Sequence, residues 1–490
     1  KMSIMDFSIE LSSINPDKFG LSTGYFFSVN IVVGAGFLAL PHAFKTSGWL
    51  ISFFYMIFTA YQSYYLARQL LEVMSRTEVI VRLRDEGKRI KPPTWRQIFT
   101  GQKAGDDLLE KEPTPRPIIT SRRFDVTENI RILFGQKWAT FYIIILSFYF
   151  QGAQLGYVTI FASSFASNIP LPWAKKCDIY ETSSYSDSCY QNYWIFLVIY
   201  AVFMTYLTIK GMKEQRWVQS VLTIMRFIII GLVLITSIAL LIQQKQVDHD
   251  VHESFDDPPL AVWTHLSSMA SIILFAFVYQ IQFPSIAEFV RSRVKNLKKI
   301  IIMVAATSFT LYAMLGIIVP MAIHDVKGEV NISFREYSAG YSQSDRPWWT
   351  YIIAYIIVLF PAFDVFSSFP LMAIPLSDNV LTMYYGIGAT KELPFKTVAI
   401  CRFFCVVLPF TIAFFVYDLG IILNWVGLFG FILVPIAIPL MHIAAREMVE
   451  TPSPYDVKFS SRGVSLGIVG LNSLIMLYVL VNMIVVEASS

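Results

Sequence analysis

Apolar residues in this chain fall in long continuous runs, not in the alternating pattern of half-buried strands. Eleven runs sit near or above the ~20 residues that carry a helix across a bilayer. They lie at roughly 22–44, 49–71, 138–165, 192–209, 217–242, 263–290, 298–322, 348–376, 397–416, 419–444 and 463–486. The run at 192–209 is the weakest by length. In lipid an open chain satisfies its own backbone only as helix. Continuous apolarity also excludes a membrane barrel, whose strands alternate. The pattern therefore predicts an all-α polytopic membrane protein of about 11 transmembrane helices. Residues 1–21 form an N-terminal tail and 22–490 a single eleven-span domain. The one long polar insertion, 76–137, falls between the second and third spans. Residues 1–20 lack the basic-then-apolar plan of a cleaved signal peptide, so the first run is expected to be a retained span.

Composition sharpens this reading. Hydrophobic residues make up 55% and charged residues 15% of the chain, against about 25% charged in soluble domains. The net charge of +4 is small and scattered, which argues against a nucleic-acid surface. Among 39 Lys and Arg, 31 fall on one side when the N-terminal tail is placed in the cytoplasm and seven on the other. Leaving out 68–137, the ratio is still 16 to seven, so the N-terminus is predicted to be cytoplasmic.

Two features agree with that orientation. Cys177 and Cys189 share the outer loop between the third and fourth spans, where a disulfide persists. Asn331-Ile332-Ser333 is a glycosylation sequon on the same side, after the seventh span. Both point to the secretory pathway, hence to the plasma membrane or a vacuole- or lysosome-like endomembrane, with an organellar inner membrane as the further option. Cys401 and Cys405 sit in an apolar run and are expected to be reduced and buried. No metal-binding or nucleophile–base constellation appears, so an enzyme is not expected. The insertion carries mixed charge and Pro92, Pro93, Pro113, Pro115 and Pro117. It is expected to be partly disordered with one interfacial helix, serving as a solvated linker or as a regulatory, partner-binding segment.

Two runs contain helix breakers. The first reads Asn30-Ile-Val-Val-Gly34-Ala-Gly36-Phe-Leu-Ala-Leu-Pro41; the sixth reads Phe275-Ala-Phe-Val-Tyr279-Gln280-Ile-Gln282-Phe-Pro284-Ser285. Pro284 removes a backbone donor and disfavours helix before it. Broken helices are tolerated in membranes where the freed backbone lines a cavity. The alternative for the glycines is close helix packing through small residues. Breaks five spans apart match the spacing of inverted five-helix repeats, in which half-helix ends bind the substrate.

The stretch NIVVGAGFLALPHAFKTSGW, from Asn30 to Trp49, resembles the first-span signature of the amino acid/auxin permease family. That family lies within the amino acid–polyamine–organocation superfamily and includes the sodium-coupled neutral amino acid transporters. FAFVYQIQFPSIAEF at 275–289, PAFDVFSSFPLMAIPLSDNV at 361–380 and GLFGFILVPIAIP at 427–439 resemble its sixth, eighth and tenth spans. The resemblance covers nearly the whole chain, although the 76–137 insertion is longer than the family leads one to expect. It implies a LeuT-like fold, ten core helices in two inverted repeats plus one extra span, with broken helices 1 and 6. It further implies an amino acid substrate held at the midplane between spans one, three, six, eight and ten. Gly34, Ala35 and Gly36 would meet the carboxylate, and the stretch from Phe277 to Gln280 the amino group. Tyr149 and Tyr157 in the third span are candidates for side-chain contact or, equally, for packing.

Coupling follows from the same resemblance. A sodium ion is the one candidate cofactor, at a site matching Asn30, Val33, Ser367 and Ser368; the serines otherwise bond to their own preceding turn. Charges inside spans are costly and are by default functional candidates. Arg226 in the fifth span and Asp364 in the eighth are expected to pair near that site. The pair is either a static brace or a cationic stand-in for the ion. Glu288, at the cytoplasmic end of the sixth span beside Arg291 and Arg293, reads as an interfacial salt bridge or gate. The function expected is secondary active transport of amino acids by alternating access, coupled to a proton or sodium gradient. The alternative is a transport-inactive membrane subunit or amino acid sensor on the same fold. The expected partners are the amino acid, membrane lipid and a protein bound through 76–137, with no nucleic acid.

Overall fold

The computed structural model describes residues 20–34, 36–88, 91–101, 115–120, 124–169, 171, 187–210, 216–248, 259–341, 345–385 and 393–489. Among these residues the regular structure is helical throughout. The first apolar run is two helices, α1 (Leu21–Val32) and α2 (Gly36–Ser47), meeting at a bend of 50°. The second run belongs to α3 (Trp49–Asp85), which continues well past the expected span. Within the insertion lie α4 (Trp95–Thr100) and α5 (Val126–Phe134). Then come α6 (Gln136–Asn168), α7 (Asp187–Lys210) and α8 (Arg216–Asp248). The sixth run is again split, into α9 (Leu266–Phe277) and α10 (Phe283–Phe289). Next are α11 (Arg293–Ala322), the short α12 (Val330–Ser333), α13 (Trp348–Tyr385) and α14 (Phe395–Ala413). The tenth run is α15 (Leu419–Phe431) and α16 (Ala437–Met448), continuous through one π turn at Ile432–Ile436; α17 (Arg462–Ser489) ends the chain.

Eight helices among the described residues are long and apolar enough to cross a membrane, and the bent α1–α2 pair makes a ninth. The sequence leads one to expect eleven. The two that fall short do so for physical reasons. α3 buries polar side chains along its length, among them Gln62, Ser63, Gln69 and Glu72, and the sixth run is cut into two short helices. Large apolar side chains still face outward around the bundle, among them Phe54, Phe148, Val202, Ile235, Phe404 and Leu474. That is the surface a lipid solvent calls for. The protein is an integral, multi-pass membrane protein.

Inside, α6 and α13 lie along one another, α9 packs on α15 and α2, and α11 spans the backs of α1, α2 and α3. Without a hydrophobic drive between helices in lipid, small residues permit the close approach. A Cβ on Gly427 would sit 2.3 Å from the Ser271 carbonyl oxygen, and one on Gly36 would sit 2.9 Å from Ala276 Cα. Helix α17 is the most peripheral, with only 11% of its apolar window buried.

The described parts of the insertion differ from the linker expected. α4 is closed by a capping box between Thr94 and Gln97. The Trp95 ring stacks on Phe134 at 5.2 Å and meets Trp138 edge-on at 4.9 Å. Thr120 donates its backbone N–H to Glu78 at 2.7 Å, and Ser453 Oγ donates to the Pro117 carbonyl at 3.3 Å. The segment is thereby fastened to α3 and to the connector before α17. Beside it lies a buried ionic cluster. The fully buried Glu72 carboxylate takes Arg76 at 3.0 Å, Arg446 Nε at 2.6 Å and His442 Nε2 at 3.1 Å, and accepts from Val457 N at 3.1 Å. Arg76 also reaches Asp456 at 2.9 Å and the carbonyls of Val449 and Thr451. A buried carboxylate is tolerable only when its lone pairs are filled in this way.

On the side predicted to face outward, the sequon reading does not hold in this conformation. Asn331 is 1% exposed, and its Nδ2, the atom a glycan would occupy, donates to Ser164 Oγ at 3.0 Å and to the Val358 carbonyl at 3.2 Å. Helix α12 has folded inward against α13 and α2. Cys177 lies outside the described residues, while Cys189 is buried. Cys405 is a buried free thiol, as expected, whereas Cys401, also a free thiol, is only half-buried.

Candidate functional site

Both broken spans leave carbonyls that no helical N–H can reach, and a single side chain serves both. Tyr312 on α11 directs its hydroxyl to the Val32 carbonyl at 2.7 Å and to the Ala276 carbonyl at 3.3 Å. Its ring meets Phe277 edge-on at 5.2 Å. The next freed carbonyl, that of Phe277, accepts from Ser63 Oγ on α3 at 2.8 Å. The sixth-span break occupies residues 278–282, within the helix-breaking stretch from Phe275 to Ser285. Pro284 sits in the first turn of α10, where its missing N–H costs nothing. The first-span break falls between the end of α1 at Val32 and the start of α2 at Gly36; Val33 is buried and its N–H bonds back to Val29 at 2.8 Å.

The expected substrate residues separate into groups. Ala35 lies outside the described residues. Gly34 opens toward the third span: a Cβ there would meet the Tyr157 hydroxyl at 3.5 Å, an ordinary contact. At Gly36 the missing side chain lets α2 touch the Ala276 backbone of α9. Phe277 is buried beside Tyr312. Gln280 is fully buried, with Nε2 donating to Ser63 O at 3.0 Å and Ser63 Oγ at 2.7 Å, and Oε1 accepting from Tyr279 N at 3.0 Å. Its amide thus staples the break to α3. Tyr149 is buried against Phe275, ring centroids 6.0 Å apart, and beside Gly430. Tyr149 therefore lies where the third, sixth and tenth spans meet.

The expected cation residues form one knot. Arg226 on α8 is 1% exposed and reaches both Asp364 oxygens on α13 at 2.5 Å. Its other terminal nitrogen donates to the Asn30 carbonyl of α1 at 2.7 Å. The guanidinium thus joins the first, fifth and eighth spans. Tyr157 and Tyr312 lie within electrostatic reach of it. Ser368 Oγ turns back to the Asp364 carbonyl at 3.5 Å, the local bond open to any helical serine. The Ser367 side chain lies outside what is described. At the cytoplasmic end of the sixth span, Arg293 donates to the carbonyls of Ala287 and Glu288 at 3.0 and 2.5 Å, so it caps α10. Of the residues that organise the breaks, sequence reasoning missed Tyr312 and Ser63. Nothing marks Tyr312 in its apolar run, whereas the Gln62-Ser63 pair inside the second run was a readable signal.

The arrangement is one of carbonyl ends, half-helix ends and a buried charge pair at the meeting point of the first and sixth spans. Comparison with known proteins places the chain as a whole. A family model described as transmembrane amino acid transporter protein matches residues 18–484. Transmembrane protein 104 of Homo sapiens is 22% identical over 442 residues, covering 83% of each chain. The Mus musculus protein of that name is 21% identical over 427 residues, covering 81% of each. A Drosophila melanogaster homolog is 19% identical over 466 residues, covering 87% of this chain and 89% of the relative. Among solved structures, a crystal structure of a mutant manganese transporter of Eremococcus coleocola aligns over 94% of both chains, with 10% identity and a TM-score of 0.47. With its family model running through the tail, the broken spans and the last helix, this chain belongs to the transmembrane amino acid transporter protein family.

Proposed function

We propose that the protein is a secondary active transporter that moves amino acids by alternating access between two inverted five-helix repeats. The observation that carries this reading is the pair of breaks, after Val32 and at 278–282, whose flanking helices touch where Gly36 meets Ala276. A scaffold gains nothing from interrupting two spans; a carrier gains backbone groups for the zwitterion of its substrate. Gly34 and the stretch after Phe277 then face the substrate, with Tyr157 and Tyr149 as the third-span wall. Arg226 holds the Asn30 carbonyl, one of the groups a sodium ion would use. Transport is therefore sodium-independent in this reading and driven by a proton gradient. The N-terminus is cytoplasmic, and the membrane is the plasma membrane or an endomembrane.

A second reading, a sensor or assembly subunit, draws on the docked insertion and the Glu72 cluster beneath it, a built surface larger than a linker needs. Purified protein in liposomes, offered labelled amino acids under separate sodium and proton gradients, decides between them. Uptake that follows a proton gradient supports transport. Binding of an amino acid without accumulation under any gradient supports the sensor.

A further inference from the structure

A cavity of about 160 Å³ lies where the end of α6 meets the start of α13, on the side predicted to face outward. Asn168, the last residue of α6, lines it. Arg335, Glu336 and Arg346 line it from the stretch between α12 and α13, and Tyr351 and Tyr355 from the first turns of α13. The Arg346 guanidinium is already held in place. Its Nε donates to Thr350 Oγ1 at 3.2 Å and one terminal nitrogen to the Arg335 carbonyl at 3.4 Å. Its central carbon stands 4.0 Å from the centre of the Tyr351 ring, a cation–π contact. These bonds leave the other terminal nitrogen to a ligand. The lining side chains carry two positive charges against one negative.

The surroundings select the ligand. Tyr351 and Tyr355 also belong to an exposed stripe of α13 that includes Trp348, Ile352, Ile356 and Phe363. Spacings of three and four residues put these on one helix face, and on a membrane span an outward apolar face is covered by lipid. Trp and Tyr gather at the level of the headgroups, and the cavity sits at that level because two spans end there. Since both tyrosines form its wall, the cavity is continuous with the lipid-facing stripe.

We infer that this cavity binds the phosphate of a phospholipid, whose acyl chains lie along α13 past Ile352, Ile356 and Phe363. The planar guanidinium fork matches phosphate oxygens, and one already oriented loses little freedom on binding. A phosphodiester carries a single negative charge, which the one excess positive charge of the wall balances. Arg335 follows α12 and Arg346 precedes α13, so a bound lipid ties the inward-folded α12 loop to the eighth span. A free oxyanion would use the same arginines and gain nothing from the stripe. Such a lipid serves a carrier and a sensor alike.

The test uses the full chain in detergent, stripped of lipid, with three additives: phosphatidylglycerol, diacylglycerol of the same chains, and inorganic phosphate. Phosphatidylglycerol should raise the melting temperature more than diacylglycerol does, and inorganic phosphate should leave it unchanged. In the double variant Arg335→Gln with Arg346→Gln the excess over diacylglycerol should vanish. Lys327→Gln, which removes a charge outside the cavity, should retain it. Native mass spectrometry should count one phosphatidylglycerol more on the wild type than on the double variant. Arg335→Gln alone is read in its place should the double variant not purify as a monodisperse protein. Equal shifts from phosphatidylglycerol and diacylglycerol would mean that only the apolar stripe binds, and overturn the site. A shift from inorganic phosphate as large as that from the phospholipid would make a free anion the ligand and overturn it too. So would an excess that survives loss of the arginines.

Discussion

Removing Arg226 should injure the protein more than removing Arg226 and Asp364 together. The guanidinium is buried among three helices and supplies the cation to Asp364 and a donor to the Asn30 carbonyl. Arg226→Met strands a buried carboxylate. Breaking a buried pair from one side costs about 3–5 kcal/mol, and the lost bond to Asn30 adds about 1 kcal/mol. Asp364→Leu strands the arginine at comparable cost. The double variant, Arg226→Met with Asp364→Leu, removes both charges and keeps comparable volume, a change that is often neutral. The interaction energy from the cycle should therefore be several kcal/mol and opposite in sign to the single losses. The assay is apparent melting temperature of the detergent-solubilised protein for the four chains, with uptake in sodium and in choline alongside. Single costs that add to within about 0.5 kcal/mol in the double variant would show that the two residues do not depend on each other. Sodium-dependent uptake that appears in Arg226→Gln and vanishes on adding Ser368→Ala would show that the arginine fills a site the ion otherwise takes.

Other expectations follow from single distances. Gly36→Ala places a Cβ 2.9 Å from the Ala276 backbone. It should lower both the melting temperature and uptake, whereas Gly34→Ala, with ordinary clearance, should spare folding and change KM. Tyr312→Phe leaves the Ala276 carbonyl without its hydroxyl donor while the Val32 carbonyl keeps the Gly34 N–H at 2.8 Å, a cost of about 1–3 kcal/mol, read as melting temperature; an unchanged value would mean that another donor already serves Ala276. Asn331→Gln should leave gel mobility unaltered after expression in a glycosylating host, because Nδ2 is engaged inside the fold; a glycosidase-sensitive shift of the wild type would refute this. Non-reducing peptide mapping should find Cys177 joined to Cys189, a loop whose closure contributes roughly 3 kcal/mol in the chain-entropy model; two alkylatable thiols would contradict it.

The helical architecture was legible because lipid imposes a single backbone solution on each apolar run. The two breaks were legible because Gly34, Gly36 and Pro284 weaken helix through their own covalent structure. What escaped is whatever depends on partners distant in the chain. The second run looks like one more span, yet α3 buries Gln62, Ser63, Gln69 and Glu72. Such polar groups gain meaning only from the elements brought against them. The insertion looks like a solvated linker by composition. Its ordered parts dock because Glu78 and Ser453 offer acceptors and donors to a stretch that has no regular structure of its own.

The site shows the same division at finer scale. Arg226 and Asp364 could be paired from sequence because a charge within the bilayer is costly alone, by about 2.5–3.5 kcal/mol on insertion scales. Cost predicts that a partner exists, and only two ionisable groups lay near mid-span. Amides carry no such signal. Gln280 and Gln62 both stand in apolar runs, and either one could have been the open group. The structure separates them by who takes Ser63: Gln280 Nε2 lies 2.7 Å from its hydroxyl, which itself donates to the Phe277 carbonyl. That closes a circuit of donors and acceptors around the break and leaves Gln62 outside it. A saturated group of this kind holds a shape. Gln280→Ala should accordingly disturb folding and the uptake of all substrates alike.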